Sequence, residues 1–277
     1  MLHYLYLKMC SIVMENTKSK TAIVTGAYGA IGFAIVKGLV SRDYEVILIG
    51  RNERRLEEAV ATIMVLYSNA KVWYEVVDLS RKNSIRELAH RWEGPLDLII
   101  NNAVTAPRDR LLTPEGYEVQ FATNVMGYFW MMHYMHKFMK DVEDARIVNV
   151  ASYWAGDLNM DDLMFEIRNY DNDKVYRQSK QADRMLSIAF AEKLKADGIC
   201  VNACHPGDVS SKLSNNLGYG GHELPEKGAE TPIWLACSDE TKNITAKYFE
   251  DKAEKECQFS QNKEAIELLY RFCSHLS

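Results

Sequence analysis

Tyr176 and Lys180 are four positions apart, a spacing that places both side chains on one face of a helix. A tyrosine with an ordinary pKa of about 10 transfers protons poorly at neutral pH, but a neighbouring ammonium group favours the phenolate. The pair could therefore give a proton to a substrate oxygen or remove one from it. The spacing is equally typical of an exposed pair on a polar helix, so it needs support from the rest of the chain.

The stretch at 21–32 predicts an element that could hold a ligand beside such a pair. It combines an apolar strand, a glycine-rich turn and a helix that starts near Ala30. Gly26, Gly29 and Gly32 let the backbone turn sharply and approach a ligand closely, and a helix N-terminus favours a pyrophosphate. A plain connection between strand and helix is the alternative. The apolar strand before the turn and the apolar-periodic helix after it favour dinucleotide binding.

Apolar strands and helical segments alternate after this turn. The strands are predicted at 45–50, 71–77 and 96–101, and the helices at 51–67 and 80–92. Such alternation predicts βαβ units, a parallel sheet and right-handed crossovers. We therefore expect a single-domain α/β protein with a doubly wound Rossmann fold at 20–277, with about seven parallel strands flanked by helices, after an N-terminal extension at 1–19.

The residues after the second strand predict which dinucleotide is bound. An acidic residue there would bind the adenosine ribose, whereas an arginine would pair with a 2′-phosphate. The chain has Gly50-Arg51-Asn52, and the planar guanidinium of Arg51 suits a phosphate. This favours NADP(H) over NAD(H). The alternative is that Arg51 only begins a charged helix with Arg54 and Arg55. Asp78, just past the third strand, has room to bond the adenine amino group.

Further motifs follow in a fixed order, and with them the chain resembles the short-chain dehydrogenase/reductase family. They are Asn101-Asn102-Ala103, Asn124, Ser152, Tyr176-x-x-x-Lys180 and His205-Pro206-Gly207. Within that family the chain is most similar to the retinol-dehydrogenase-like branch, judged by the segments 146–152, 154–174 and 247–249. The resemblance implies NADP dependence and a hydrophobic alcohol or carbonyl substrate, such as a retinoid, steroid or fatty aldehyde.

The resemblance assigns roles to particular residues. Tyr176 would be the general acid and base, Ser152 would hydrogen-bond the substrate oxygen, and Asn124 would hold a water that relays protons to Lys180. The implied cofactor-binding residues are Gly26, Tyr28, Gly29, Ile31, Gly32, Arg51, Asn52, Asp78, Leu79, Asn102, Ala103, Tyr176, Lys180, Pro206, Gly207 and Val209. Val104 departs from the pattern, because glycine usually follows Asn-Asn-Ala. A flexible, partly apolar lid over the substrate is expected at about 208–228.

Two other functions compete with a carbonyl reductase or alcohol dehydrogenase. A nucleotide-sensing protein could keep the fold and lose turnover, and Val104 is the feature in its favour. Ser152, Tyr176 and Lys180 argue against it. A sugar-nucleotide epimerase or dehydratase is a third option, although such relatives usually have longer chains and another glycine spacing.

Composition excludes several other classes of protein. The net charge is −5, without the basic excess of a nucleic-acid-binding protein. Six scattered cysteines favour free thiols in a reducing compartment, and we expect a cytoplasmic protein. The apolar stretch at 1–13 is too short to span a bilayer, so a membrane anchor or an organelle remains the weaker alternative. His133 and His136 lack a third ligand, so no metal is expected. By resemblance, a homodimer or homotetramer is expected.

Overall fold

Apolar runs build one sheet in the part of the chain that the structure, a computed structural model, describes, residues 19–277. The strands are β1 Thr21–Thr25, β2 Glu45–Gly50, β3 Val72–Val76, β4 Leu98–Asn101, β5 Arg146–Val150, β6 Cys200–Cys204, β7 Tyr248–Glu250 and β8 Ala253–Lys255. The predicted extension at 1–19 and the apolar stretch at 1–13 lie outside the described residues, apart from Ser19.

The helices cover both faces of this sheet. They are α1 Ala30–Val40, α2 Glu53–Leu66, α3 Lys82–Arg91, α4 Gly127–Met135, α5 Asn172–Lys193, α6 Lys212–Leu217, α7 Pro225–Cys237 and α8 Lys263–His275. Asn124 lies in a π-helical turn, Phe121–Met126, that precedes α4. The expected lid at 208–228 contains α6, whose N-terminus is closed by reciprocal hydrogen bonds between Ser211 and Ser214.

The strand order is β3-β2-β1-β4-β5-β6-β7-β8. The first seven strands in this order are parallel, and β8 pairs antiparallel with β7. The single α/β domain with a doubly wound fold is therefore confirmed, with one extra edge strand. The order reverses between β1 and β4, and ligands of such sheets bind in the crevice beyond the strand ends at that point.

Alternation along the strands divides the core between the two faces. In β1, Ile23 packs into one cluster with α3, α4, α5 and α8, whereas Ala22 and Val24 pack into the other with α1, α2 and α7. Successive side chains of a strand point to opposite faces, so both faces of an apolar strand become buried. None of the helices between residues 19 and 277 is long and apolar enough to cross a membrane.

Candidate active site

The glycine-rich turn after β1 has backbone geometry that side chains would obstruct. Gly26 has a φ of 63°, in the left-handed region, and a Cβ there would lie 2.8 Å from the Cα of Ala103. A Cβ on Gly32 would overlap the carbonyl oxygen of Gly26. The turn leads into α1, whose first residue is Ala30 and whose N-terminus has no side-chain cap. The N-terminus of α1 therefore remains open to an anionic ligand.

Thr25 connects this turn to the end of β4. Its hydroxyl accepts hydrogen bonds from the backbone N–H of Asn102 at 2.9 Å and of Ala103 at 3.0 Å. The side-chain amide of Asn102 donates in return to the carbonyl oxygen of Thr25 at 2.9 Å. The motif at 101–103 thus secures the two strands at the switch point. Sequence reasoning missed Thr25, although a buried hydroxyl directly before the motif glycine was a usable signal.

A groove of about 410 Å³ lies beyond β1, β2 and β4. Ten of the residues predicted to bind the cofactor line it together: Gly26, Tyr28, Gly29, Ile31, Gly32, Arg51, Asp78, Leu79, Asn102 and Ala103. Val104 lines the groove as well. Because the glycines of the turn carry no Cβ, space remains there that a pyrophosphate can enter. The residues that line the groove therefore fit a bound dinucleotide.

Two arginines stand at the β2 side of the groove. Arg51 is exposed, and within residues 19–277 it has no ion-pair partner. Arg55, which was considered only as part of a charged helix, also lines the groove, with its guanidinium 4.4 Å from the ring centre of Tyr28. Asn52 does not line the groove, because its side chain accepts from the backbone N–H of Arg55 and caps α2. The predicted cofactor role of Asn52 stays a prediction.

A second cavity, of about 140 Å³, adjoins the groove along Ile31. It contains the predicted residues Ser152, Tyr176, Pro206, Gly207 and Val209. Long-range packing of β5, α5 and the segment after β6 therefore brings together side chains that lie far apart in sequence. Lys180 does not line this cavity and is only 2 % exposed.

Ser152 is held by its neighbours in a defined position. Its hydroxyl oxygen accepts from the backbone N–H of Trp154 at 3.0 Å, which leaves the hydroxyl proton free to be donated. Its carbonyl oxygen accepts from the guanidinium of Arg184 at 2.5 Å. Arg184 is buried and lies 3.5 Å from the ring centre of Tyr248. Sequence reasoning missed Arg184, which no local motif marks.

The pKa of Tyr176 differs from the sequence-based expectation. It is raised to about 12, chiefly by burial and in part by Asp183, against a hydrogen bond with Ser152 that lowers it. A lysine one turn away was expected to lower the pKa. Lys180 is instead paired with Asp183, so its charge is largely compensated.

Lys180 lies behind Tyr176 in the protein interior. Its Nζ donates to the carbonyl oxygen of Val150 at 2.9 Å and to Oδ2 of Asp183 at 2.9 Å. Burial by itself would lower the pKa of Lys180, but the Asp183 carboxylate outweighs it and the pKa is raised. The ammonium form is therefore maintained at neutral pH.

Asn124 joins the π-helical turn to its surroundings. Its side-chain oxygen accepts from the N–H of Thr105, and its amide donates to the carbonyl oxygen of Thr105 and to the hydroxyl of Ser179. These contacts hold the loop after β4 against α5. The side chain makes no direct hydrogen bond with Lys180, so the implied water relay stays a prediction.

Aromatic side chains enclose the second cavity. Trp154 stacks on Tyr219 with ring centres 4.4 Å apart, and the hydroxyl of Tyr219 donates to Asp173 at 2.6 Å. The ring of Tyr153 meets His205 edge to face at 4.4 Å. Burial lowers the pKa of His205 to about 4. The cavity thus has an aromatic wall that joins the segment 208–228 to the start of α5.

His133 and His136 belong to the packing of α4. His133 stacks on Phe129 with ring centres 5.8 Å apart, and Nδ1 of His136 lies 3.1 Å from the carbonyl oxygen of Met132. Within residues 19–277, no three His, Cys, Asp or Glu side chains are grouped to hold a metal ion.

The fold and the groove define the class as a dinucleotide-binding α/β protein. A family model described as short chain dehydrogenase matches residues 20–219. The chain belongs to the short-chain dehydrogenase/reductase family, whose members are oxidoreductases that bind a nicotinamide cofactor, and the predicted resemblance is confirmed.

Relatives of similar sequence support this membership, and a solved structure shares the fold. A Streptomyces antibioticus protein named "Probable oxidoreductase" is 33 % identical over 85 % of this chain and 86 % of its own length. Retinol dehydrogenase 13 of Mus musculus is 31 % identical over 85 % of this chain and 77 % of its own length. A blue fluorescent protein from a metagenomic library, solved with NADPH, shares the fold at a TM-score of 0.68 and 22 % identity, over 85 % of this chain and 97 % of that one.

Proposed function

We propose that this protein transfers a hydride between NADP(H) and a hydrophobic carbonyl or alcohol substrate. The observation that carries the proposal is the shared cavity of Ser152 and Tyr176 at the end of the groove. A proton donor and a second hydroxyl there can both reach one substrate oxygen. Tyr176 lines this cavity and is only 8 % exposed to solvent.

Different residues of this chain bind the cofactor and transfer the proton. Gly26, Gly29 and Gly32 would admit the pyrophosphate, and Arg51, which lines the same groove, would pair with a 2′-phosphate. The nicotinamide, when bound, supplies or accepts the hydride. Ser152 donates a hydrogen bond to the substrate oxygen, which stabilises negative charge that develops there. Tyr176 then gives its phenolic proton to that oxygen in reduction, or takes a proton from it in oxidation.

The preference for NADP(H) rests on two arginines of the groove. Arg51 is exposed at the end of β2, and Arg55 is turned onto Tyr28 beside it. A carboxylate in place of Arg51 would repel a 2′-phosphate, whereas a guanidinium can bind it through two hydrogen bonds. The structure with NADPH that shares this fold and the retinol dehydrogenase relative are consistent with this preference and with an apolar substrate.

The substrate cavity supports an apolar substrate whose reactive end is small. A volume of about 140 Å³ is close to that of a protein cavity that accommodates one benzene ring, about 150 Å³. Trp154, Tyr219 and Leu213 supply apolar walls, and Lys and Arg side chains are missing from the residues that line it. A longer substrate would extend past the Trp154–Tyr219 stack toward solvent.

The test is NADPH consumption with a panel of aldehydes from benzaldehyde to long-chain and retinoid aldehydes, run in parallel with NADH. We expect turnover with NADPH, and a loss of about 10²- to 10⁴-fold in Tyr176→Phe, which keeps the ring and removes the proton. Tyr153→Phe, which removes a hydroxyl from the same cavity, is the matched control. Equal activity of Tyr176→Phe and wild type would refute the assignment of Tyr176.

A nucleotide sensor remains the second candidate, because Val104 stands in the groove where the family usually has glycine. It predicts tight NADPH binding without turnover of any aldehyde in the panel. Measuring binding by quenching of tryptophan fluorescence alongside turnover distinguishes the two functions. We also propose that the protein is a homodimer or homotetramer in the cytoplasm.

A further inference from the structure

A buried carboxylate lies next to the lysine of the Tyr-x-x-x-Lys motif. Asp183 follows Lys180 by three positions on α5, and its Oδ2 lies 2.9 Å from Nζ of Lys180. The side chains are 0 % and 2 % exposed. The proposed chemistry does not use Asp183, and a buried carboxylate carries a desolvation penalty that only its partner offsets. Its presence beneath the candidate active site therefore needs an explanation.

One polar atom of the Lys180–Asp183 pair lacks a hydrogen-bond partner among the described residues. Lys180 has three N–H donors, and Val150 and Asp183 accept two of them. The second oxygen of Asp183, Oδ1, is buried and has no hydrogen-bond partner among the described residues. The carboxylate thus acts on Lys180 alone, and Lys180 is held by Val150, Asp183 and its neighbour Tyr128.

The other titratable groups packed against Lys180 are neutral at ordinary pH, while Asp173 and Asp208 raise the pKa of Tyr176 in the same direction as Asp183. Tyr128 on α4 lies with its ring centre 5.0 Å from Nζ of Lys180, and burial raises its pKa above its usual value. Burial likewise raises the pKa of Cys204 on β6 and of Cys273 on α8. Tyr176 itself lies with its ring centre 5.9 Å from Nζ. Asp183 is therefore the group whose charge balances Lys180.

We propose that Asp183 is a positioning residue that holds the Lys180 ammonium and compensates its charge, so that Tyr176 changes from proton donor to proton acceptor at a higher pH. The inference rests on the proposed function of Tyr176. A lone ammonium would stabilise the phenolate, whereas an ammonium paired with a carboxylate has little net field at Tyr176. Asp183 thereby sets the pH at which alcohol oxidation, which needs the phenolate, becomes fast.

The electrostatic effect of Asp183 has a definite sign and size. Asp183 lies two helical turns from Tyr176, about 10 Å along the axis. A full charge at that distance and an effective dielectric of about 20 changes a pKa by about one unit. Burial raises the pKa of Asp183 itself to about 6, against the attraction of Lys180. The carboxylate therefore compensates Lys180 only above its own raised pKa.

The first test needs no substrate and uses the full chain. Titration of tyrosinate absorbance, taken as the difference between each protein and its Tyr176→Phe counterpart, reports Tyr176 alone. We expect the titration of Tyr176 to move down by about one pH unit in Asp183→Asn, which keeps the shape and removes the charge. Ser187→Ala, a neutral buried change one turn further along α5, should leave it at the wild-type pH. An unchanged or raised midpoint in Asp183→Asn would overturn the proposal.

The second test is the pH profile of kcat/KM for alcohol oxidation with NADP⁺. On the acid limb, Asp183→Asn should be about tenfold faster than wild type at the same pH, and Asp183→Glu should stay near the wild-type profile. If Asp183→Asn fails to fold, the wild-type profile still decides, because an acid-limb midpoint below neutrality would overturn the proposal. If no alcohol is oxidised at all, the proposed function fails, while the absorbance titration still tests Asp183.

Discussion

The groove and the cavity that meet at Ile31 are built on opposite principles. The groove of about 410 Å³ is lined by backbone at the glycine turn and by exposed cations such as Arg51. The cavity of about 140 Å³ is lined instead by aromatic rings and polar side chains, including Trp154 and His205. A charged, extended coenzyme can be bound by open backbone and long side chains, whereas proton transfer to a small group needs a site that excludes water. Variants of the groove and variants of the cavity should therefore have different effects.

The largest effect is expected from Gly32→Ala in the groove. Its methyl group would overlap the carbonyl oxygen of Gly26, and backbone cannot yield as a side chain can. Overpacking of this kind costs about 1 to 3 kcal/mol, so NADPH affinity should fall by about 10- to 100-fold. Gly38→Ala on the same helix meets only the side-chain tip of Ile233 and serves as the control. Calorimetric titration that finds equal affinities would show that the turn does not hold the coenzyme.

The half-buried ring of His205 should make stability depend on pH. Its pKa is about 4 when folded, against an ordinary value near 6.5. Because folding depresses the pKa, this contribution is complete above about pH 6.5 and is lost as the pH falls toward 4. A pKa lowered from 6.5 to about 4 corresponds to about 3 kcal/mol. Because solvent screens part of the ring, the stability of wild type relative to His205→Gln should drop by about 2 kcal/mol over that interval.

Denaturant unfolding of both proteins at each pH measures that difference. His222→Gln, an exposed change beside the same cavity, is the control and should follow wild type. A constant difference between wild type and His205→Gln across the interval would show that His205 is not held neutral by burial.

Arg51→Ala should weaken the groove selectively. An exposed contact between a guanidinium and a phosphate contributes about 1.4 kcal/mol, or about tenfold, and NADH lacks the 2′-phosphate. We expect KM for NADPH to rise about tenfold while KM for NADH stays within about twofold. Arg54→Ala removes an exposed arginine that pairs with Glu58 and does not line the groove. An equal loss for both coenzymes, or the same change in Arg54→Ala, would argue against phosphate recognition by Arg51.

The smallest effect is expected at the aromatic wall. Trp154→Ala removes the partner of Tyr219 and enlarges the cavity, so kcat/KM should rise severalfold for long aldehydes relative to benzaldehyde. Tyr219→Phe keeps the stack and removes only the hydrogen bond to Asp173, so its preference should stay closer to wild type. Initial rates across the aldehyde panel measure both, and an unchanged size preference in Trp154→Ala would mean that the wall does not limit substrate size.

Much of the fold could be predicted from the local pattern of apolar and polar residues. The apolar run in β2 predicted a strand at 45–50 and the structure has the same bounds, because a strand buried on both faces must be apolar along its length. The helix predicted to start near Ala30 also begins there. The π-helical turn at Phe121–Met126 escaped prediction, since its contacts with Thr105 and Ser179 come from distant parts of the chain.

The candidate site divides in the same way. Motif order predicted which residues gather in the groove, because glycines and strand ends are local features of the chain. Arg55, Arg184 and Asp183 were missed, although all three lie on helices whose positions were predicted or implied. Their importance comes from what they face, respectively Tyr28, Ser152 and Lys180, and spacing alone cannot show which neighbour a side chain meets.

The amino-acid sequence by itself determined the parallel sheet, the dinucleotide turn and the identity of the residues that could transfer a proton. These depend on backbone freedom and on the period of apolar residues, both of which are local properties. The tertiary structure alone decided the electrostatics of Tyr176 and the size of the cavity beside it. Burial sets how strongly charges act on each other. Only the packed chain determines that the charge of Lys180 is compensated by Asp183.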